Sequence, residues 1–260
     1  MGCIIKCADV LEGKRIKFVY GEPALIAEAG GSPHLVVGDL HIGMERELQA
    51  RGIHVTKMAG RMSKRMLGIA EEFGAKSVVI IGDVKHSILY PERYESREIS
   101  SFFDSLARLD VVVVAGNHDA HLREIVSCDV RDELSIDGIS FSHGNKNPTQ
   151  KEMDADYLVT AHSHACVRMR DSVGTFYEQK VWLVSEPNKK KAGALYENHN
   201  KKMKLVMMPA FNDLIMGTSV TKGLKSTISP MLRSGLFSAR KTDIYSLLGE
   251  AIDLKLLNIT

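Results

Sequence analysis

A chain of 260 residues with 44% hydrophobic and 25% charged side chains has the composition of a soluble globular protein, long enough for one large α/β domain or two small ones. No apolar stretch approaches the ~20 residues of a helical membrane span, so no membrane partner is expected. The net charge of +2 by itself selects no class of partner.

The opening Met1-Gly2-Cys3-Ile4-Ile5-Lys6 has too short an apolar run for a signal peptide and lacks the Ser or Thr of a myristoylation signal at position 6. Residues 14–28 read as two short strands around the turn Gly21-Glu22-Pro23. Leu35–Asp39 is apolar until its end, as a buried strand is. A helical stretch runs from Gly43 to about Gln49, and a longer helix over Met58–Phe73 carries Met58, Met62, Met66, Ile69, Ala70 and Phe73 on one face. The strand Val78–Gly82, the amphipathic helix Glu98–Leu109 and the strand Val111–Ala115 follow. This β-α-β-α-β rhythm with near-continuous apolar strands predicts a sheet covered on both faces. Beyond Leu122 the strands become shorter and closer together: Gly138–Ser142, Tyr157–Ala161, Val181–Val184, Ala192–Tyr196 and Lys204–Met208, with a short helix or loop over Pro148–Asp154. That half predicts a mixed or antiparallel second sheet. Nothing resembling a repeat or a linker interrupts the chain. The expectation is one domain over 1–260, in which 165–260 is a basic portion completing the second sheet.

Three strings end three of the apolar runs: Gly38-Asp39-Leu40-His41, Gly82-Asp83 and Gly116-Asn117-His118-Asp119. Two more histidine sites follow, Ser142-His143-Gly144 and Ala161-His162-Ser163-His164. Asp39 with His41, and His162 with His164, are spaced i, i+2, so in extended backbone each pair points one way. Asp83 can bridge two ions because its oxygens accept independently. Asn117 offers a neutral oxygen, and His143 completes the set. Two divalent ions carry +4 against −2 from Asp39 and Asp83, an excess that attracts phosphate. Two such ions about 3.5–4 Å apart can share a hydroxide and clamp the oxygens of an in-line displacement. Mixed imidazole and carboxylate donors suit Mn²⁺, Fe²⁺, Zn²⁺ or Ni²⁺ better than Mg²⁺ or Ca²⁺, with Mn²⁺ the first expectation. His118 is placed to hydrogen-bond a phosphate oxygen or protonate a leaving oxygen, with Asp119 holding its tautomer. Lys85 and His86 are read either as substrate contacts or as loop structure.

The order Asp-x-His, Gly-Asp, Gly-Asn-His-Asp, His-Gly, His-x-His resembles the calcineurin-like metallophosphoesterases from about Leu35 to His164. The resemblance implies a four-layer α/β sandwich, two mixed β-sheets flanked by helices. It implies one metal on Asp39, His41, Asp83 and His164, a second on Asp83, Asn117, His143 and His162, and His118 as the catalytic histidine. Asp39-Leu40-His41-Ile42-Gly43-Met44-Glu45, Gly82-Asp83-Val84-Lys85-His86 and Met208-Pro209-Ala210-Phe211-Asn212 are similar to the ICC-like branch, which includes archaeal proteins and bacterial phosphoesterases associated with DNA ligase and helicase genes. Many relatives have Asp, Asn or Glu at the place of His86, and most have Gly at the place of Ala161. Glu45 is expected to cap or pair within its helix, and the Pro209–Asn212 string to line the pocket rim or end a strand.

Cys3, Cys7, Cys128 and Cys166 form no CxxC pair, which fits free thiols in a reducing cytoplasm; Cys166, two residues past His164, is a remoter ligand candidate. His34, His54, His121 and His199 are expected to be structural or exposed. Lys180 to Lys241 holds 12 Lys or Arg and 3 Asp or Glu, a local +9 that leaves −7 elsewhere. Such a region either attracts a polyanion or solvates turns such as those around Lys189-Lys190-Lys191. The expected activity is hydrolysis of phosphate esters, diesters and nucleic acid before monoesters. The alternatives are a small-molecule phosphatase, a cyclic-nucleotide phosphodiesterase, or a non-catalytic scaffold on the same fold.

Overall fold

The computed structural model describes residues 7–8, 15–224 and 227–253; the Met1–Lys6 segment with Cys3 lies outside them. Strands β1 (Cys7–Ala8), β2 (Ile16–Val19), β3 (Leu25–Ala29) and β4 (Ser32–Gly38) pair antiparallel in that order. From β4 the sheet turns parallel, through β5 (Ser77–Ile81), β6 (Asp110–Val114) and β7 (Asp129–Arg131). Helices α1 (Met44–Ala50) and α2 (Ala59–Glu72) lie in the β4–β5 crossover, and α3 (Arg93–Ser105) in the next.

The second sheet is mixed. It contains β8 (Leu134–Ile136), β9 (Ile139–Ser142), β10 (Tyr157–Thr160), β11 (Cys166–Arg170), β12 (Phe176–Pro187), β13 (Lys204–Met207) and β14 (Phe237–Ser246). Here β9, β10 and β13 run parallel, and β12 joins β13 and β14 antiparallel. Three short helices accompany it: α4 (Gln150–Met153), α5 (Lys189–Leu195) and α6 (Pro230–Arg233).

Alternation along the strands builds three apolar layers. On β4, Leu35 and Val37 face the α2 and α3 side chains Met62, Met66, Ile69, Ile99 and Phe102. Val36 faces the other way, into a core between the sheets with Ile81, Phe141, Val159, Ala161 and Trp182. The Phe18 and Trp182 rings stack across that core at 4.1 Å and 7°. A third layer covers the outer face of the second sheet, where Leu158, Leu183 and Leu205 meet Ala192, Met231 and Leu232. The result is helices, sheet, sheet, helices: the four-layer α/β sandwich.

Two elements differ from expectation. Ala192–Tyr196 is not a strand; residues 189–195 are helical, because the Asn188 side chain accepts from the Lys190 and Lys191 amides and caps the first turn. The helix read as Glu98–Leu109 begins at Arg93 and leaves the helical path after Ser105, although Leu106 and Leu109 keep packing on the same core.

Candidate metal centre

The carboxyl ends of β4, β5 and β6 and those of β9 and β10 open toward one place. Ligand sites at such ends are a general property of open α/β sheets. Seven side chains converge there. Donor atoms of Asp39, His41, Asp83 and His164 all lie within 4.8 Å of one another, as do those of Asp83, His143 and His162. His164 Nε2 is 3.2 Å from Asp39 Oδ2. Asp83 Oδ2 lies 3.6 Å from His41 Nε2 and 3.2 Å from His143 Nε2, so one carboxylate belongs to both groups. Asn117 Oδ1 joins the second group, 3.2 Å from His143 Nε2, and His162 Nδ1 is equally close to that nitrogen.

Spacings near 3.2 Å are those of neighbouring ligands around an ion with bonds of about 2.1 Å. Asp39, His41, Asp83 and His143 are buried, yet both ring nitrogens of His41 and Nδ1 of His143 have no hydrogen-bond partner. Burying polar atoms without partners is costly, and a bound cation removes the cost. The residues present therefore fit metal ions.

The convergence does not come from the strand pleat. Asp39, His41, Asp83, His162 and His164 all have positive φ, between 41° and 65°. These non-glycine residues occupy the strained left-handed region that clusters at functional sites. The i, i+2 pairs meet because each exit is kinked, and the kinks are held by hydrogen bonds. His41 N donates to Asp83 O at 2.8 Å, His118 N to Asp83 Oδ1 at 2.9 Å, and His162 N to Asp39 Oδ2 at 3.0 Å. The glycines before the motifs leave no room for a side chain: a Cβ on Gly82 would lie 2.1 Å from His143 Nδ1, and one on Gly116 2.2 Å from Asp83 Oδ1.

No protein-family model matches the chain, and no curated protein matches it in sequence. Among solved structures, the nuclease MPE of Pseudomonas putida is similar over 95% of this chain and 98% of its own, with a TM-score of 0.57 at 15% identity. The fold is that of the calcineurin-like metallophosphoesterases. YfcE, a phosphoesterase from E. coli, is similar over 54% of this chain and 74% of its own (TM-score 0.34, 19% identity). A predicted phosphoesterase from Streptococcus pneumoniae is similar over 84% and 91% (TM-score 0.32, 11% identity).

Within this metallophosphoesterase fold the charges are poised by their neighbours. Burial would raise the Asp39 pKa, but His164 and His143 outweigh it and hold it below the ordinary range. Asp83 is likewise lowered against its burial, by His143 and His41. Burial lowers His41 to about 4, and burial with His143 lowers His162 to about 4, which keeps both imidazoles neutral. His143 and His164 are raised despite burial, by Asp83 and Asp39 respectively.

The remaining site expectations divide. His118 Nδ1 lies 2.5 Å from the His86 carbonyl oxygen. A carbonyl only accepts, so Nδ1 carries the proton and the neutral ring keeps Nε2 as its basic nitrogen. Asp119 does not hold that imidazole. Its carboxylate accepts from the Val84, Lys85 and Gly116 amides at 2.9, 3.3 and 2.8 Å, and so ties the Asp83 loop to the Asn117 loop. Its expected catalytic role is replaced by a positioning one. Lys85 is not at the substrate either. It is fully buried, and its ammonium donates to the carbonyls of Ser87, Ile88 and Leu89. His86 is half-buried at the rim, with Nε2 2.7 Å from Glu47 Oε2. Cys166 belongs to neither ligand group; its thiol faces the Gly217 carbonyl at 3.6 Å.

Glu45 neither caps nor pairs as expected, since its carboxylate is buried without a hydrogen-bond partner. Asn212 is fully buried and supports the first motif, donating from Nδ2 to Leu40 O at 2.8 Å. Lys180 in turn donates to the Ala210 and Asn212 carbonyls, both at 2.6 Å. Neither support was expected from the sequence. The signal for Asn212 was the Met208–Asn212 string, and Lys180 had none. A cleft of about 700 Å³ runs from Asn117 and His143 past Asn145, Lys146, Asn147 and Thr149. Lys189, Lys190 and Lys191 lie elsewhere. Leu183 pairs with Met207 and Ser185 with Leu205, so α5, after Pro187, sits at the end of the sheet opposite the metal centre.

Proposed function

We propose that the protein is a divalent-metal-dependent phosphoesterase that hydrolyses phosphate diesters, nucleic acid among them, in a reducing cytoplasm. The observation that carries the reading is the convergence of Asp39, His41, Asp83, Asn117, His143, His162 and His164, with buried imidazole nitrogens lacking partners. Asp39, His41, Asp83 and His164 would hold one ion; Asp83, Asn117, His143 and His162 would hold the other, Mn²⁺ being the first choice for this donor set. Divalent ions supply charge neutralisation of the phosphate and activation of water at neutral pH.

The chain's own groups do the rest. His118, its Nδ1–H donated to the His86 carbonyl, acts through Nε2, which when protonated donates to a phosphate oxygen or delivers its proton to the leaving oxygen. Asp119 keeps the loops of Asp83 and Asn117 in register, and His86 stands beside His118, ring centroids 6.2 Å apart, as a substrate contact at the rim. Likeness to a nuclease over nearly the whole chain supports a diester substrate, and the free thiols of Cys128 and Cys166 agree with a reducing compartment.

The test is hydrolysis of bis-p-nitrophenyl phosphate, p-nitrophenyl phosphate, a 2′,3′-cyclic nucleotide and single-stranded DNA by metal-stripped protein with and without Mn²⁺. Mn²⁺-dependent cleavage of the aryl diester and DNA is expected. Preference for the monoester would replace the diesterase reading with a phosphatase, and inertness toward every ester would leave a scaffold.

A further inference from the structure

Three consecutive apolar side chains stand in solvent beside the site: Ile88, Leu89 and Tyr90, exposed by 59%, 79% and 63%. An exposed run of this kind is avoided on protein surfaces unless something covers it. Here the loop is fixed in that posture. The Lys85 ammonium, buried at a desolvation cost, donates to the carbonyls of Ser87, Ile88 and Leu89. The Glu95 carboxylate clamps the loop's start, accepting from the His86 and Ser87 amides at 2.8 and 2.9 Å and from the Ser87 hydroxyl at 2.5 Å. With backbone polar groups held from below, the three side chains have nowhere to go but outward.

The loop also runs alongside the segment that carries His118. At one end the His118 ring donates to the His86 carbonyl; at the other the Tyr90 ring lies 5.0 Å from the half-exposed ring of His121, tilted by 54°. The apolar wall therefore flanks the histidine that serves the leaving oxygen. A flat aromatic group joined through a sugar to that oxygen would meet Leu89 and the Tyr90–His121 pair. We infer that the Ser87–Tyr90 loop is the binding surface for the nucleobase on the leaving-group side of the scissile diester. The inference rests on the diesterase reading and deepens it by naming what the leaving group must carry. The Tyr90 hydroxyl and the His121 ring are both engaged by Glu124, so the wall offers a base π-face and aliphatic surface rather than groups aimed at its edges, and it accepts every base.

The test uses a thymidine trinucleotide and two versions in which one terminal thymidine is an abasic tetrahydrofuran residue, with Mn²⁺ and product analysis to identify the cleaved bond. Removing the base on the leaving side is expected to lower kcat/KM by about 5- to 150-fold, the range for one stacked base; removing the other terminal base is expected to cost less. In Leu89→Ser and Tyr90→Ser, checked for folding by Tm, the ratio between base-bearing and abasic probes should fall toward one. A 2-aminopurine on the leaving side should be quenched on binding to wild type and not to these variants. A ratio of one in wild type, or an unchanged ratio in both variants, overturns the inference and leaves the loop a surface for some other partner. If bis-p-nitrophenyl phosphate is cleaved while the ratio is one, this inference falls alone. If neither diester is cleaved, it falls together with the diesterase reading.

Discussion

Gly217 gives a sharp test of how the first ligand group is held. A Cβ built at this position would lie 1.8 Å from the His164 carbonyl oxygen and 2.2 Å from the His164 Cβ. Non-bonded Cβ contacts essentially never fall under 3.0 Å, so Gly217→Ala forces about 1.2 Å of separation between the two segments. The Gly217 side cannot take up all of it. The Thr218 carbonyl accepts from Cys166 N at 3.3 Å, and the Gly217 carbonyl faces the Cys166 thiol, so the loop is stitched to the strand that follows His164. His164, already at φ 44°, must move, and a displacement of about an ångström is enough to cost on the order of 100-fold in a positioned site. Gly217→Ala should keep its fold by circular dichroism, lose Mn²⁺ affinity at one of two sites, and lose phosphoesterase activity to a similar degree. Metal counted per chain after dialysis across a range of Mn²⁺ is the assay. Wild-type occupancy and affinity at both sites in Gly217→Ala would refute the argument that this contact sets His164.

His118→Ala should retain both metals and lose about 10²- to 10⁴-fold in kcat, the usual contribution of a positioned acid or base; loss of a metal would instead make His118 a ligand. Gly68→Ala, at an exposed position of α2 with nothing within 4 Å of the added methyl, should stabilise the protein by about 0.5–1 kcal/mol in denaturant titrations. Burial lowers the Lys180 pKa from 10.5 to about 8. Between those values the unfolded chain binds more protons than the folded one, so wild-type stability should rise with pH over pH 8–10.5, by up to about 3 kcal/mol. In Lys180→Met that rise should be absent; an identical pH profile in both proteins would contradict the burial argument.

The seven residues that converge at the candidate centre were readable as a set because metal-binding chemistry calls for particular residue types at strand ends, and strand ends announce themselves as apolar runs, three of which stop at Gly-Asp or Gly-Asn. Apolar runs also placed β5, β6, β9, β10 and β13 to within one residue, and β4 at its carboxyl end, though β4 starts three residues earlier, at Ser32. What escaped had no such signature. The strand β14 carries alternating polar residues such as Arg240, Lys241 and Asp243, and β11 reads as Cys166-Val167-Arg168-Met169-Arg170, too short and charged to stand out. The helix over 189–195 was missed because Lys-Lys-Lys reads as a solvated turn unless the Asn188 cap is noticed. The role of Asp119 was misread, and that of Lys85 was left open between substrate and loop, for one reason: adjacency in sequence to His118 and Asp83 suggested the cleft, while positive φ at Asp83 and tight hydrogen bonding turn both side chains inward. The strain at Asp39, His41, Asp83, His162 and His164 cannot be read from the sequence, since Asp and His are enriched in the left-handed region yet most copies of either residue lie outside it.

The most direct measurement is the number of Mn²⁺ ions per chain needed to restore diester hydrolysis to chelator-stripped protein, with bound metal and rate read on the same samples. The account predicts no activity in the verified metal-free protein and recovery that tracks filling of two sites per chain, with Asp83→Asn losing both ions and Asp39→Asn chiefly one. Full activity without metal, or two ions retained equally by both variants, would contradict it.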